Sequence, residues 1–373
     1  MYCVPLPSNY HATCTLLHPA QSQFVSLIMP ELPEVESYRQ ILLSLVTDRS
    51  SQNESVRLEF GPPPLPNKRF PSEQTIAEIN EGNFNIINVL RKGKVLCVVL
   101  EKIKDPNTSK IDVTAAITLH MGMTGRISSP NHIPKLESLS EECSYPPPHT
   151  HLIIYSPNGQ QACFSDPRKF GSVYVHIFYE NGQRNIDEEC IPAFQELAPD
   201  ALTALSKDSD LTNIILNKFT NQRKVIKALL LDQRAIISGV GNWVADEVLY
   251  RSKIHPDQSF LTTPEAKKLV SEIQYVVSTA VKCLNNKDEF PVQWLFHRRW
   301  RGSGKGKKNP KDSDGNSITF VKSGGRSSAI VPSMQRKVSR KAVIADSDTT
   351  ESKNNKRKKS AMVCPTSGKR RKR

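Results

Sequence analysis

The feature that most constrains this chain is a change of hydrophobic period partway along it. Residues 59–178 read as β: segments 95–100, 115–119, 152–155 and 172–178 are rich in Val, Ile and Tyr, and Pro157-Asn158-Gly159 marks a turn between two of them. From residue 211 the period is helical, over 211–219, 224–231, 244–251 and 264–284. One helix is expected ahead of the β region. Val35, Tyr38, Ile41, Leu42, Leu45 and Val46 make one apolar face after Pro33, which suits a first turn, and Glu34 and Glu36 suit the positive end of the helix dipole. Residues 318–331 return to short β character around Gly324-Gly325. The expected fold class is α+β: a β-sandwich or barrel domain with a leading helix over 29–180, a helical domain over 181–300, a short β-hairpin unit over 301–332 and a disordered tail over 333–373.

Charge narrows the class of partner. The 373 residues carry a net charge of +14, but unevenly. Residues 333–373 hold 14 Lys and Arg against 3 Asp and Glu, residues 305–332 hold 6 against 2, and the other 304 hold 31 against 32. The excess suggests nucleic acid, yet a binding face on the nearly neutral body has to come from clustering. The eight cysteines include no CxxC pair, which argues against a zinc ribbon or finger of the usual spacing and fits a reducing compartment. No apolar run approaches the length of a membrane span, and no membrane partner is expected. Residues 1–28 contain no Lys, Arg, Asp or Glu and match neither a mitochondrial nor a secretory leader. They are expected to be disordered or absent from the working protein.

Five blocks carry chemistry. Met29-Pro30-Glu31-Leu32-Pro33-Glu34-Val35-Glu36 opens the first helix. Arg91-Lys92-Gly93-Lys94, His120-Met121-Gly122-Met123-Thr124-Gly125, Asp166-Pro167-Arg168-Lys169-Phe170-Gly171 and Gly239-Val240-Gly241-Asn242-Trp243 follow in that order. Alone, each has an ordinary reading: a Pro-Glu helix start, a solvated lysine before a strand, a methionine filling a core gap, glycines between two helices. Five in this order, across a β half and then a helical half, resemble the formamidopyrimidine-DNA glycosylase (Fpg/Nei) family from Met29 to about Pro332.

The resemblance implies a DNA-formamidopyrimidine glycosylase and abasic-site lyase of base-excision repair. It would remove oxidised bases, purine-derived lesions first, and then cut the strand by β,δ-elimination. Its catalytic residues would be Pro30, Glu31 and Lys94. The secondary amine of Pro30 would attack the sugar C1′ and form an imine. An α-amino group titrates near pH ~8, whereas a lysine amine would need a shift of roughly three units to match it. This sets a condition. The chain must begin at Pro30 after removal of Met29, because with residues 1–28 attached the Pro30 nitrogen is an amide. In that case the protein would be a non-catalytic binder of damaged DNA.

Glu31 would move protons at the sugar ring oxygen and during elimination. Lys94 would contact a phosphate and the lesion nucleotide. Met123, Arg168 and Phe170 would fill the gap left by an extruded base, with Lys169 on a phosphate. Gly241 and Asn242 would hold a phosphate at a helix start in a helix–two-turns–helix module, with Arg223, Lys224 and Lys227 as a basic rim. Bacterial members usually end in a four-cysteine zinc finger, but this chain has no cysteine between Cys283 and Cys364. It resembles instead the zincless finger of plant and fungal members, with Arg326 on the DNA backbone. Neither metal nor soluble cofactor is expected, and the partner is double-stranded DNA bearing oxidised bases or abasic sites, bound by a monomer. A lid over the extruded base is expected near residues 203–222. Lys356-Arg357-Lys358-Lys359 and Lys369-Arg370-Arg371-Lys372-Arg373 read as nuclear import signals or DNA tethers, so the expected compartment is the nucleus. A chromatin or RNA-binding protein would explain the tail but not the five blocks.

Overall fold

A computed structural model describes residues 29–47, 55–61, 68–103, 112–132, 145–180, 188–207, 209–299 and 310–338. The 1–28 segment and the two basic clusters of the tail lie outside the described residues.

The β half is a sandwich of two antiparallel four-stranded sheets. One has the order β1 (Arg57–Phe60), β6 (Thr150–Tyr155), β7 (Gln161–Ser165), β5 (Arg126–Ser128). The other runs β2 (Phe84–Lys92), β3 (Val95–Lys102), β4 (Asp112–His120), β8 (Ser172–Glu180). Leu96, Val98 and Leu100 of β3 face the interior with Ile117, Ile154 and Phe164. The opposite face of the same strand, Val95, Cys97 and Val99, is covered by Ile191 and Phe194 from the segment after β8. Burial on both faces explains why β3 reads as one unbroken apolar run rather than an alternating one. The region also contains a helix that its β composition concealed, α2 (Glu73–Glu81), started by Ser72, whose side chain accepts from the Thr75 amide at 3.1 Å.

The leading helix, α1 (Leu32–Leu43), joins the two halves. Its Val35, Tyr38, Ile41 and Leu42 pack into the sandwich, while Leu32 enters the helical core. That core is built from α4 (Ala204–Lys207), α5 (Ser209–Asn221), α6 (Ile226–Leu231), α7 (Asn242–Ser252) and α8 (Thr263–Asn286), while the short α3 (Pro192–Gln195) lies on the outer face of β3. α8 starts where the sequence supplies a capping box: Thr262 and Glu265 bond reciprocally, and Pro264 sits in the first turn. The stretch 203–222, expected to form a lid loop, is mostly helical, because α4 and α5 bury Leu205, Ile215 and Phe219 in the core.

α7 is buried nearly all round, and Asp246 and Glu247 are buried with it. Glu247 accepts the Phe296 amide at 3.0 Å, and burial pushes its carboxyl up to about 8. The folded chain therefore binds this proton more tightly than the unfolded chain, whose carboxyl titrates near ~4.3. Between those pH values the native state holds the extra proton, so stability falls as pH rises. Replacement Glu247→Gln keeps an acceptor for Phe296 and removes the titration. We expect its melting temperature to match the wild type near pH 5 and to exceed it at pH 8.5. Equal slopes of melting temperature against pH in both proteins would count against this assignment.

The hairpin unit consists of β9 (Thr319–Ser323) and β10 (Arg326–Ile330). A small apolar cluster and side-chain bonds hold it: Tyr250, Leu295, Ile318, Ala329 and Val331 pack together. Asp312 accepts from the Tyr250 hydroxyl at 3.1 Å and from the Asn316 amide at 2.8 Å. Residues 333–338, expected to belong to the disordered tail, are packed against the body. Gln335 is buried, accepting from the Val331 amide at 2.9 Å and donating to the Ile254 carbonyl at 3.0 Å, and the Val338 amide donates to Gln258 at 3.1 Å. Polar composition hides this anchoring, because a glutamine with both ends of its amide satisfied can be buried.

Candidate active site

The site lies where α1, the β2–β3 turn, the start of α7 and the hairpin unit converge. Glu31 is its centre. Oε1 accepts the Trp243 amide at 2.8 Å and Oε2 accepts the Val244 amide at 3.0 Å. These amides belong to the first turn of α7, so the group held at this helix start is a carboxyl of the chain itself. Gly241 makes the approach possible: a Cβ there would lie 2.2 Å from the Glu31 carboxyl carbon. The Leu32 amide donates to the Gly239 carbonyl at 3.1 Å, fixing α1 against the same loop. Pro30 is buried beside Glu31.

Three further charged groups join Glu31. Glu34 accepts the Glu31 amide at 3.0 Å, completing a capping box on α1. Burial, and next the charge of Glu31, pushes the Glu34 carboxyl up to about 8. Burial also raises Glu31, although Lys94 and the two α7 amides oppose the rise. Burial lowers the Lys94 amine; Glu31 and Glu34 pull it back up and Arg326 lowers it further. Each group thus registers the charge of its neighbours, and residues from the first helix, the β2–β3 turn and the hairpin form one electrostatic cluster. Chemically, it offers a Glu34 carboxyl that keeps its proton at neutral pH, a Glu31 carboxyl less acidic than usual and a less basic amine, beside Pro30.

The turn carrying Lys94 is held from the helical side. Asp200 accepts the Gly93 amide at 2.7 Å, and Arg91 donates to the Gly93 carbonyl at 3.0 Å, to Asp200 and to Glu36 of α1 at 2.7 Å. Glu36 was expected to serve the helix dipole, but it is buried in this network, and Arg39 and Arg91 hold its carboxyl below the usual range despite burial.

Met123, Arg168 and Phe170 come together at the edge of the sandwich. Asp166 organises their loop, accepting from the Arg168 amide at 3.2 Å, the Gly171 amide at 2.7 Å and the Thr124 hydroxyl. Lys169 adopts φ 56°, which turns the chain so that residues 168–170 project. Gly122, at φ 60°, lets the Met123 loop lie flat on the Phe170–Gly171 peptide, where a Cβ would approach to 2.5 Å. Met121 takes the core position and Met123 stays half-buried. Phe170 is 46% exposed, an apolar ring with no core to fill, and the Arg168 guanidinium lies 5.0 Å from its centroid.

On the helical side, Asn242 donates to the Ser327 carbonyl at 3.2 Å, tying the start of α7 to the hairpin that carries Arg326. Arg223 and Lys224 are exposed, but Lys227 is not part of a basic rim. It is wholly buried, paired with Asp246 and donating to the Asn242 carbonyl at 3.1 Å, while Arg299 and the Ala329 amide occupy the other Asp246 oxygen. The triad Lys227–Asp246–Arg299 therefore fastens α6, α7 and the hairpin under the site. Sequence reasoning missed Asp200, Asp246 and Arg299 as site supports. The one available signal was an acid at 246 flanked by Val244, Ala245, Val248 and Leu249 in a helix with no polar face. Among the described residues, no group of His, Cys, Asp and Glu is arranged to hold a metal ion.

Comparison with known proteins agrees with this architecture. A family model described as Formamidopyrimidine-DNA glycosylase N-terminal domain matches residues 29–173, and one described as Formamidopyrimidine-DNA glycosylase H2TH domain matches residues 197–289. A relative from Arabidopsis thaliana, named Formamidopyrimidine-DNA glycosylase, is 28% identical over 321 residues, which is 83% of this chain and 71% of that protein. A relative of the same name from Methylorubrum populi is 30% identical over 267 residues, 68% of this chain and 79% of its own. Among solved structures, Lactococcus lactis Fpg bound to DNA containing an abasic site aligns with a TM-score of 0.55 at 23% identity, covering 83% of this chain and 100% of that one. The complex of the same enzyme with DNA containing N7-benzyl-Fapy-dG gives 0.57, again at 23% identity and with the same coverage.

Proposed function

Because this chain belongs to the formamidopyrimidine-DNA glycosylase family, we propose that it excises oxidised bases from double-stranded DNA in base-excision repair and cuts the abasic strand, with the amine of Pro30 as nucleophile. The observation that carries this reading is the cluster of Glu31, Glu34, Lys94 and Arg326 gathered beside Pro30.

The steps balance on the chain's own groups. The neutral Pro30 nitrogen attacks C1′, the N–C1′ bond forms, and the base leaves with a proton. Glu31, whose carboxyl burial makes less acidic, gives a proton to the ring oxygen, opening the sugar and leaving an iminium. The iminium acidifies the C2′ protons; Glu31, ionised by the previous step, takes one as the C3′–O bond breaks and the 3′-phosphate leaves, and loss of a C4′ proton to water with cleavage of the C5′–O bond expels the 5′-phosphate. Water then releases Pro30. Lys94 and Arg326 supply positive charge for the phosphates. A duplex with one formamidopyrimidine lesion, incubated with protein beginning at Pro30, should give a one-nucleotide gap with phosphate at both ends. Tight lesion binding with an intact strand would favour a non-catalytic binder.

Met123, Arg168 and Phe170 are suited to fill the space an extruded base leaves. An aromatic–base stack contributes about 1–3 kcal/mol, so Phe170→Ala should slow excision roughly 10- to 100-fold. The ring is solvent-facing, so the melting temperature should not move. An excision rate equal to the wild type would remove Phe170 from the role.

A further inference from the structure

A single peptide unit lies between the Glu31 carboxyl and a buried ammonium. The N–H of the Asn242–Trp243 peptide donates to Glu31 Oε1 at 2.8 Å, and the carbonyl of the same peptide accepts from Lys227 Nζ at 3.1 Å. Lys227 in turn bonds Asp246 Oδ1, while Arg299 and the Ala329 amide bond Oδ2. The side chains of Lys227 and Asp246 are completely buried and that of Arg299 nearly so. Two cations on one anion give the triad a net positive charge, set beneath the start of α7 where water does not screen it.

We propose that the Lys227–Asp246–Arg299 triad governs how tightly Glu31 holds the proton it gives to the sugar ring, acting through the Asn242–Trp243 peptide, so that Asp246 and Arg299 are positioning residues for the reaction. The inference rests on the glycosylase reading above, which is what gives Glu31 that proton to deliver.

The peptide transmits charge in one sense only. A cation at its carbonyl polarises it and makes its N–H a stronger donor, and linked bonds of this kind reinforce each other in a dry interior. A stronger donor favours the ionised carboxyl, and so does the positive charge itself. Burial raises Glu31, and Arg299 is among the groups that oppose the rise, with Lys94 and the two α7 amides. Burial lowers the Lys227 amine; Asp246 pulls it back up, and Glu31 adds to that pull. Each end thus registers the other. The remaining charged groups around Glu31 are Glu34 of α1, Lys94 of the β2–β3 turn and, beyond Lys94, Arg326 of the hairpin. Glu247 of α7 faces the triad through Arg299.

The test is the rate of single-turnover base release from a formamidopyrimidine duplex against pH, with the chain beginning at Pro30. The profile should be a bell set by the Pro30 amine and the Glu31 carboxyl. Positive charge beneath the site disfavours a proton on either group, so removing it moves both limbs to higher pH. Arg299→Gln and Lys227→Gln each make the triad neutral, and each bell should slide up by at least about half a pH unit. Glutamine at 227 keeps a donor for the Asn242 carbonyl, which separates the charge from the hydrogen bond. Adding Asp246→Asn to Lys227→Gln restores the net positive charge, because a guanidinium stays ionised inside a protein. The bell of this double variant should return towards the wild-type position. A brace without an electrostatic role predicts the reverse: the double variant loses more contacts than the single one, and its rate falls at every pH with no return of the limbs. Arg299→Gln retains the Lys227–Asp246 pair and is the variant expected to keep its fold, checked by circular-dichroism melts. Should the others melt below the assay temperature, its bell alone decides. Limbs that stay put in Arg299→Gln overturn the inference. A wild type that binds the lesion duplex and releases no base at any pH overturns the functional reading instead.

Discussion

Protein beginning at Pro30 is expected to form a borohydride-stable adduct with an abasic duplex, while the same chain carrying residues 1–29 forms none. The reason lies in one nitrogen. In a peptide bond its lone pair is delocalised into the carbonyl and cannot attack C1′. As a chain terminus it is a secondary amine with a pKa near ~8, so a useful fraction is neutral at physiological pH. None of the hydrogen bonds that hold Glu31 in place uses the Pro30 nitrogen, whether it is an amine or an amide. The cluster of Glu31, Glu34 and Lys94 can therefore persist in both forms. Binding to the abasic duplex should survive the extension and trapping should disappear, a difference of at least about a thousandfold in adduct yield. N-terminal acetylation of the shorter form should reproduce the loss. Mass spectrometry showing an adduct on a chain whose residues 1–29 are intact would falsify the assignment and turn attention to Lys94, the buried amine whose pKa is lowered.

The second large effect is expected at Glu31. Glu31→Gln removes the proton that opens the sugar ring, and general acid catalysis of this kind contributes about 10²–10⁴-fold. We expect excision to fall by that factor. Stability should fall too, because Glu31 is more than a catalyst: its two oxygens accept the Trp243 and Val244 amides and join the starts of α1 and α7. Glutamine retains one acceptor oxygen and turns an NH₂ group towards the other amide, and a buried donor left unpaired costs about 1–3 kcal/mol. The two consequences separate in the measurement. A structural role alone lowers the melting temperature while the single-turnover rate at low temperature stays near wild type. A catalytic role lowers that rate at every temperature. Glu31→Asp, with the carboxyl withdrawn by one methylene, should recover acid chemistry only in part and should lose one α7 amide bond.

Much of the fold was legible because burial leaves periodic marks. The strands at β3, β4, β6 and β8 and the helices α5 to α8 sit close to where the Val/Ile runs and the helical stripes placed them. α2 was hidden because its amphipathic stripe is short, with only Ile76 and Ile79 buried. α4, just ahead of the helix expected over 211–219, was hidden because it is a single turn, although its Leu205 reaches the helical core. Arg223-Lys224 and Lys227 looked alike as basic residues of one stretch. They were parted by the packing of α6 on α7, which turns Lys227 inward to Asp246 and leaves the other two in water.

The sequence by itself determined the chemistry on offer: a proline whose amine can be freed, a neighbouring acid, a lysine at a glycine turn, a projecting Phe170 and a glycine-bounded helix start. Those are local matters, set by residue type and by the backbone freedom of a few glycines. Whether they form one site was decided by tertiary structure alone. Pro30 and Glu31 meet α7 across more than two hundred residues, Lys94 is steadied by Asp200, and Arg326 is carried in by a hairpin fastened through Asp246. The helix start expected to hold a DNA phosphate also gives its Trp243 and Val244 amides to the Glu31 carboxyl. Long-range contacts of this kind follow from which buried charges find partners once the two cores are packed, and a list of residues carries no record of that.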